Sequence, residues 1–391
     1  MYDFANSAYN SLVPVLLFPL YYKTIILQSS PYADLWWGIA VGISVLLSGL
    51  ISPIIGAIAD LSNKRKLAFV LSSLATIVGI FLLALSSSLS PLLATILFIL
   101  TNLSSGVALT LYDALLSSVA GDKLGKVSGL GYGIGYAGGI LCTLLVYPLF
   151  QAGVESSWYW LGFVIVALFY LVFSLPAFIF LKEEEFSHEK RKAGILRSSF
   201  SSTFHTLKSW KENRKIFRFL FAFYFLTEGI VTLMYFISLF ASTTLGLTAT
   251  QIALVFILSQ VIAIPATILI GHHSEKIGYR KILILTLMGW CITTVLLSVT
   301  NSLTMLYLVG AFTGLIIGSS QATARAWFAQ IIPAQKKSEL FGFNALASKI
   351  SATIGPPIFG IISVATGNQR IAVVTIVVYF LISLFLFYRQ R

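Results

Sequence analysis

The sequence predicts an all-α membrane protein with twelve transmembrane helices in two pseudo-symmetric six-helix bundles. Three observations predict it. Of the 391 residues, 57% are hydrophobic and 10% are charged, and mean hydropathy is +0.90. Soluble domains run near 25% charged, so an ordinary globular chain is excluded. The charge is also one-sided: of 26 Lys and Arg residues, only Lys23 and Arg370 fall outside segments that alternate onto one side of the membrane. Those segments are therefore expected in the cytoplasm, and the net charge of +12 reflects membrane topology rather than nucleic acid. Finally, the two halves of the chain repeat one another.

A bilayer crossing takes about 20 apolar residues. Runs of that kind occupy 4–27, 35–59, 67–87, 92–119, 127–150, 157–181, 216–241, 249–271, 281–299, 303–328, 340–364 and 369–388. The first lacks a basic n-region and a cleavage site and is expected to be a retained span. Short connections at Gln28–Asp34, Ser87–Ser90, Gln151–Ser156, Ser242–Thr248, Thr300–Ser302 and Ala365–Asn368 face the non-cytoplasmic side. An even count puts both termini in the cytoplasm.

The long connection 182–215 separates an N-terminal bundle, 1–181, from a C-terminal bundle, 216–391. It opens Lys182-Glu183-Glu184-Glu185. Ile195, Leu196, Phe200, Phe204, Leu207 and Trp210 then fall near helical spacing, as in a helix lying on the inner membrane surface. His188 and His205 are read as solvated or interfacial. Cys142 and Cys291 lie in separate spans with no CxxC, so no disulfide framework or metal site is expected.

Span 7 carries an ionisable group near its middle. Counted from Ile216, Glu228 lies roughly 18 Å into the membrane, where a charge must face protein or a water-filled cavity. Tyr224, Glu228, Thr232 and Tyr235 make one polar stripe at helical spacing. The stripe reads as a substrate or proton site, with a neutral Glu bonded to a neighbouring helix as the plainer alternative. Asp3, Asn6 and Asn10 share a face of span 1, and Asn102, Gly106 and Asp113 share a face of span 4. Gln321 and Arg325 are neighbours on span 10. Arg325 and Asp113 lie equally deep from the cytoplasmic end and suit a charge pair between the halves. Arg325 reaching headgroups alone, or Lys349 pairing with either acid, are the alternatives.

The halves repeat most clearly after spans 2 and 8. Gly56, Asp60, Arg65 and Lys66 recur as Gly271, Glu275, Arg280 and Lys281, and Gly106 of span 4 recurs as Gly314 of span 10. In such chains the site lies between repeats at the midplane. Gly133-x-Gly135-x-x-Gly138 matches a dinucleotide-binding pattern, but it sits inside a span without a preceding strand, so close helix packing is its expected role. No phosphate-binding loop, nucleophile elbow or zinc-protease motif occurs, so no enzyme activity and no cofactor are expected.

The repeated Gly-x-x-x-acid…basic-basic loops resemble the signature loop of the major facilitator superfamily. That resemblance implies gating roles for Asp60, Arg65, Glu275 and Arg280. Further stretches narrow it: Tyr2-Asp3-Phe4-Ala5-Asn6, Leu111-Tyr112-Asp113-Ala114, Gly131-Tyr132-Gly133-Ile134-Gly135-Tyr136, Glu228-Gly229, Gly318-Ser319-Ser320-Gln321, Glu339-Leu340-Phe341-Gly342 and Gly355-Pro356. Together they are similar to the unknown major facilitator family, which includes fungal vacuolar amino-acid effluxers. The chain departs from that family's usual pattern in having Glu228 before Gly229, where Asp is usual, and Ala324 before Arg325, where Ser is usual.

The resulting expectation is a monomeric secondary transporter of a small solute across the plasma membrane, a bacterial inner membrane by the economy of its loops. The resemblance implies a neutral amino acid as substrate. Glu228 is the expected substrate-binding or proton-coupling centre, with Asn6, Asn10, Asn102, Tyr224 and Gln321 as polar contacts and Asp113 and Arg325 in gating. The alternatives are an exporter of amphipathic metabolites or drugs, and a membrane receptor that does not transport.

Overall fold

The computed structural model describes residues 1–61, 64–120, 124–181, 214–331 and 353–390. Helix α1 covers 2–26, and the others are α2 (Ala33–Leu61), α3 (Arg65–Leu83), α4 (Pro91–Ala120), α5 (Leu124–Ala152) and α6 (Leu161–Phe180). The second series is α7 (Arg214–Thr243), α8 (Ala249–Ile277), α9 (Tyr279–Val299), α10 (Leu303–Ile331), α11 (Gly355–Thr366) and α12 (Gln369–Tyr388). The described residues contain no strand, and 10 of these helices are long and apolar enough to cross a membrane. The first part of the expected span 340–364 and the expected interfacial helix within 182–215 lie outside the described residues.

Helix α1 is not the plain helix its composition predicts. Tyr2–Leu12 is α-helical, Val13–Leu17 is π-helical, Phe18–Tyr21 returns to α, and Tyr22–Ile26 is π again. Pro14 accounts for the first break, because it has no N–H to donate and its ring crowds the carbonyl four residues back. The wider π step relieves this, with the Phe18 N–H donating to the Val13 carbonyl. Cap chemistry sets other ends. Thr248 and Gln251 form a reciprocal capping box at the start of α8, at 3.3 and 2.9 Å, and Asn368 accepts the Arg370 N–H at 2.8 Å to begin α12.

Helix contacts repeat with an offset of six. α1 packs on α5 and α6 as α7 packs on α11 and α12; α2 packs on α4 as α8 packs on α10; α3 packs on α4 and α6 as α9 packs on α10 and α12. Across the middle, α2 meets α11 and α5 meets α8, a pair of contacts that the same offset exchanges. The repeat visible in the loops is therefore a repeat of packing.

Close approach depends on absent side chains, since apolar helices gain little from hydrophobic burial in lipid. Gly135 and Gly138 of α5 do what small residues in a span should. A Cβ on Gly138 would overlap the Phe4 carbonyl of α1, and one on Gly135 would overlap the Ser7 hydroxyl, whereas Gly133 faces open space. Aromatic clusters fill what remains. In the first half Phe18 stacks on Phe98 at 5.0 Å and meets Trp37 at 5.9 Å; in the second, Phe219 packs on Phe328 and Phe387 at 5.2 and 5.3 Å.

Candidate functional site

Two ends of the bundle differ in kind. The basic end carries the α2–α3 and α8–α9 connections and both chain ends, where Gln390 Nε2 donates to the Lys215 carbonyl. At the opposite, short-loop end a polar cluster joins the halves. Asp34, in the first turn of α2, accepts Lys23 Nζ at 2.8 Å through Oδ1. Its Oδ2 accepts Ser363 Oγ of α11 at 2.6 Å and Gln369 Nε2 of α12 at 2.5 Å. Gln369 in turn accepts Thr244 Oγ1 at 2.7 Å. Just below, Trp37 Nε1 donates to the Tyr235 carbonyl of α7 at 2.9 Å, and Gly38 and Gly42 of α2 lie against Pro356 and Pro357 of α11.

Lys23 and Arg370, the two basic residues on the unexpected side, are thus explained. Lys23 is paired with Asp34, and Arg370 donates to the Ser298 carbonyl at 2.6 Å. A desolvated cation near a bilayer is tolerable when its donors are used.

Asn10 is exposed although it is the ninth residue of α1, about 13 Å from the chain start along a helix. An exposed amide at that depth faces water rather than acyl chains. Beyond it, Leu12 and the π-helical Val13–Leu17 are all buried. Gln260 Nε2 of α8 donates to Ser11 Oγ at 3.4 Å, so the halves meet at about the level where Asn10 becomes accessible. Tyr224 and Gln321 are half-buried, while Asp113 and Arg325 are exposed nearer the basic end.

The remaining expected contacts are buried. Asn102 receives Tyr9 OH at 3.3 Å and donates to Ser44 Oγ at 2.7 Å, which makes it a bridge between α1, α2 and α4. Asn6 is buried, and its Oδ1 has no hydrogen-bond partner among the described residues. Asp3, on the same face by sequence, accepts Tyr112 OH at 2.7 Å. The stripe Asp3, Asn6 and Asn10 therefore meets three different environments.

Glu228 is 1% exposed and sits inside the second half, where α7 meets the start of α11. Its Oε1 accepts the Gly355 N–H. Gly355 opens α11 and is followed by Pro356 and Pro357, which have no N–H. The carboxylate thus meets the one amide that the first three residues of α11 can offer, at the positive end of the helix dipole. Glu228 Oε2 and Thr232 Oγ1, one turn on, are buried with no partner among the described residues. These two oxygens are the open valences of the site.

The repeated loop residues divide. The side chains of Asp60 and Glu275 lie outside the described residues, as does Lys349. Arg65 is half-buried at the start of α3. Lys66 donates to the Ile179 carbonyl at the end of α6 at 3.1 Å, and Arg280 donates to the Phe387 carbonyl at 3.3 Å and to that of Tyr388 at the end of α12. In each half a basic residue of this loop satisfies the last carbonyls of the helix beside it, a good use of a cation at a helix C-terminus.

Comparison with known proteins agrees with this architecture. A model of the family described as vacuole effluxer Atg22 like matches residues 38–124 and 117–390. The chain belongs to that family. An uncharacterized MFS-type transporter of Bacillus subtilis, YxiO, is 26% identical over 98% of this chain and 92% of its own length. Autophagy-related protein 22 of Kluyveromyces lactis is 21% identical over 95% of this chain and 81% of its own. Among solved structures, the nucleoside transporter NupG superposes with a TM-score of 0.74 at 12% identity, covering 100% of this chain and 98% of that one. The xylose transporter XylE of E. coli, in a partially occluded inward-open conformation, gives 0.74 at 15% identity over 99% and 96%. This Atg22-like chain is a multi-pass membrane transporter with the major facilitator fold.

The sequence did not reveal the Asp34 cluster, since Asp34 fell in a segment read as a short loop. A signal was present: Lys23 breaks the positive-inside pattern, and an acid follows eleven residues later.

Proposed function

We propose that this chain is a secondary active transporter that carries a small neutral amino acid by alternating access, with Glu228 as the coupling carboxylate. The observation that carries the reading is the contrast between the ends: a polar cluster that joins the halves at the short-loop end, and an exposed amide, Asn10, well inside the span from the other. Asn10, Gln321 and Tyr224 are then the groups a solute meets on entry from the basic end. The halves 1–181 and 216–391 rock about the α2–α11 and α5–α8 contacts, joined by 182–215. Asp113 and Arg325, both near the basic end, are the gating residues of this reading.

Family membership supports efflux, and an amino acid as cargo rests on the resemblance carried by the sequence motifs. The short loops and the Bacillus relative support an inner-membrane location with the basic end in the cytoplasm. Proton coupling draws its support from Glu228 Oε2, a buried carboxylate oxygen with no hydrogen-bond partner among the described residues. A proton or a substrate ammonium group would satisfy it.

Counterflow of labelled neutral amino acids in proteoliposomes tests this, with wild type beside Glu228→Gln. Wild type is expected to exchange at least one of them, and an imposed pH gradient to drive its net movement. Glu228→Gln is expected to lose the response to the gradient. Silence of wild type across the panel would remove the amino-acid reading, and a gradient response intact in the variant would remove Glu228 from coupling.

A further inference from the structure

We propose that Asp34 is the latch of the short-loop end, and that the hydrogen bonds it accepts from Ser363 and Gln369 help hold the two halves together there, above the Trp37–Tyr235 bond and the α2–α11 packing. Three observations carry this. One carboxylate gathers donors from three helices: Lys23 of α1, Ser363 of α11 and Gln369 of α12. The division of labour between its oxygens is clean. Oδ1 takes the ammonium group from its own half, and Oδ2 takes both donors from the other half, so separation of the halves breaks the Oδ2 bonds and leaves the ion pair intact. The pair is also shielded from water, with side-chain exposures of 16% for Lys23 and 7% for Asp34.

The consequence is a reversible fastener rather than a weld. When the halves part, Lys23 travels with Asp34, so no lone charge is left in the apolar slab. Ser363 and Gln369 are neutral and can be hydrated by incoming water. Gln369 keeps Thr244 as a partner within its own half. A latch whose parting donors are neutral can be opened and remade in each transport cycle, which an ion pair across the same seam would resist. The proposal rests on alternating access but not on which solute is carried or on Glu228.

Distances between spin labels test it without any substrate. Cysteines at Tyr32 and Ala365, both exposed at this end on opposite halves, carry the labels, with Cys142 and Cys291 replaced by serine. The full chain in lipid nanodiscs is expected to show mainly the short separation. Ser363→Ala and Gln369→Leu are each expected to raise the long-separation fraction, by roughly fivefold for one lost hydrogen bond. Ser383→Ala is the control, because its hydroxyl bonds the Ala222 carbonyl within one half at 2.7 Å. It is expected to leave the distribution unchanged. Unchanged distributions in both latch variants would overturn the proposal, as would an equal shift in the control, which would signal general loosening. Failure of the amino-acid panel leaves the latch untouched.

Discussion

Glu228→Ala is expected to cost the folded protein about 2–5 kcal/mol, whereas Glu228→Gln leaves it nearly as stable as wild type. The difference follows from what Oε1 does. It accepts the Gly355 N–H at the head of α11, where two prolines follow and supply no N–H of their own. Alanine leaves that amide without its acceptor at a site 1% exposed in the native protein, and it also leaves the space of a carboxymethyl group empty. Each effect alone is worth about 1–3 kcal/mol. Glutamine keeps a carbonyl oxygen at the same reach and gives up the charge, whose attraction to the helix terminus is worth about 0.3–2 kcal/mol. Thermal unfolding followed by size-exclusion of the purified protein separates the two variants. An alanine variant as heat-resistant as wild type would mean that α11 is held by other groups and that Glu228 has no structural duty.

Gly38→Val is expected to disfavour the closed state of the short-loop end and to slow exchange by about fivefold or more. The position allows no compromise. A Cβ on Gly38 would overlap the Pro356 carbonyl oxygen and lie 2.9 Å from the carbonyl carbon and 3.2 Å from Pro357 Cα, all backbone. Gly42, one turn further, is as tight, 2.7 Å from Pro357 Cγ and 2.9 Å from the Thr353 carbonyl. No rotamer change relieves a clash with backbone, so α2 and α11 must part by the width of the added group, at a cost of about 1–3 kcal/mol. Because α2–α11 is one of the two principal contacts between halves, that cost falls on one conformational state rather than evenly on the fold. The Tyr32 and Ala365 spin-label pair reads the shift directly. A variant that exchanges solute at the wild-type rate with an unchanged distance distribution would show that this seam does not open during transport.

Much of the fold was legible because the bilayer imposes it. Span length, the one-sided charge and the repeat of Gly56, Asp60 and Arg65 as Gly271, Glu275 and Arg280 needed no knowledge of neighbours. Burial of Glu228 was legible for the same reason, as an ionisable group at that depth has few places to go. Its partner was not. Helical periodicity tells which residues share a face but not what lies opposite, and a backbone N–H leaves no mark in the sequence. The polar faces of α1 and α4 show the same limit. Asn10 is exposed, whereas Asn102, equally polar and equally central, spends its amide on Tyr9 and Ser44. Arg280 belonged to a repeated motif, which marked it as special without revealing that it holds the end of α12.

The water path to Asn10 is the point on which the transport account stands, and Asn10→Cys accessibility tests it most directly. The variant is made with both native cysteines replaced by serine. It is treated with a membrane-impermeant maleimide in intact cells and in inverted vesicles. Without substrate, the account predicts labelling from the cytoplasmic side about tenfold or more faster than from outside, the ratio expected when the opposite state is a minor one. Equal rates from both faces, or labelling from outside alone, would contradict it.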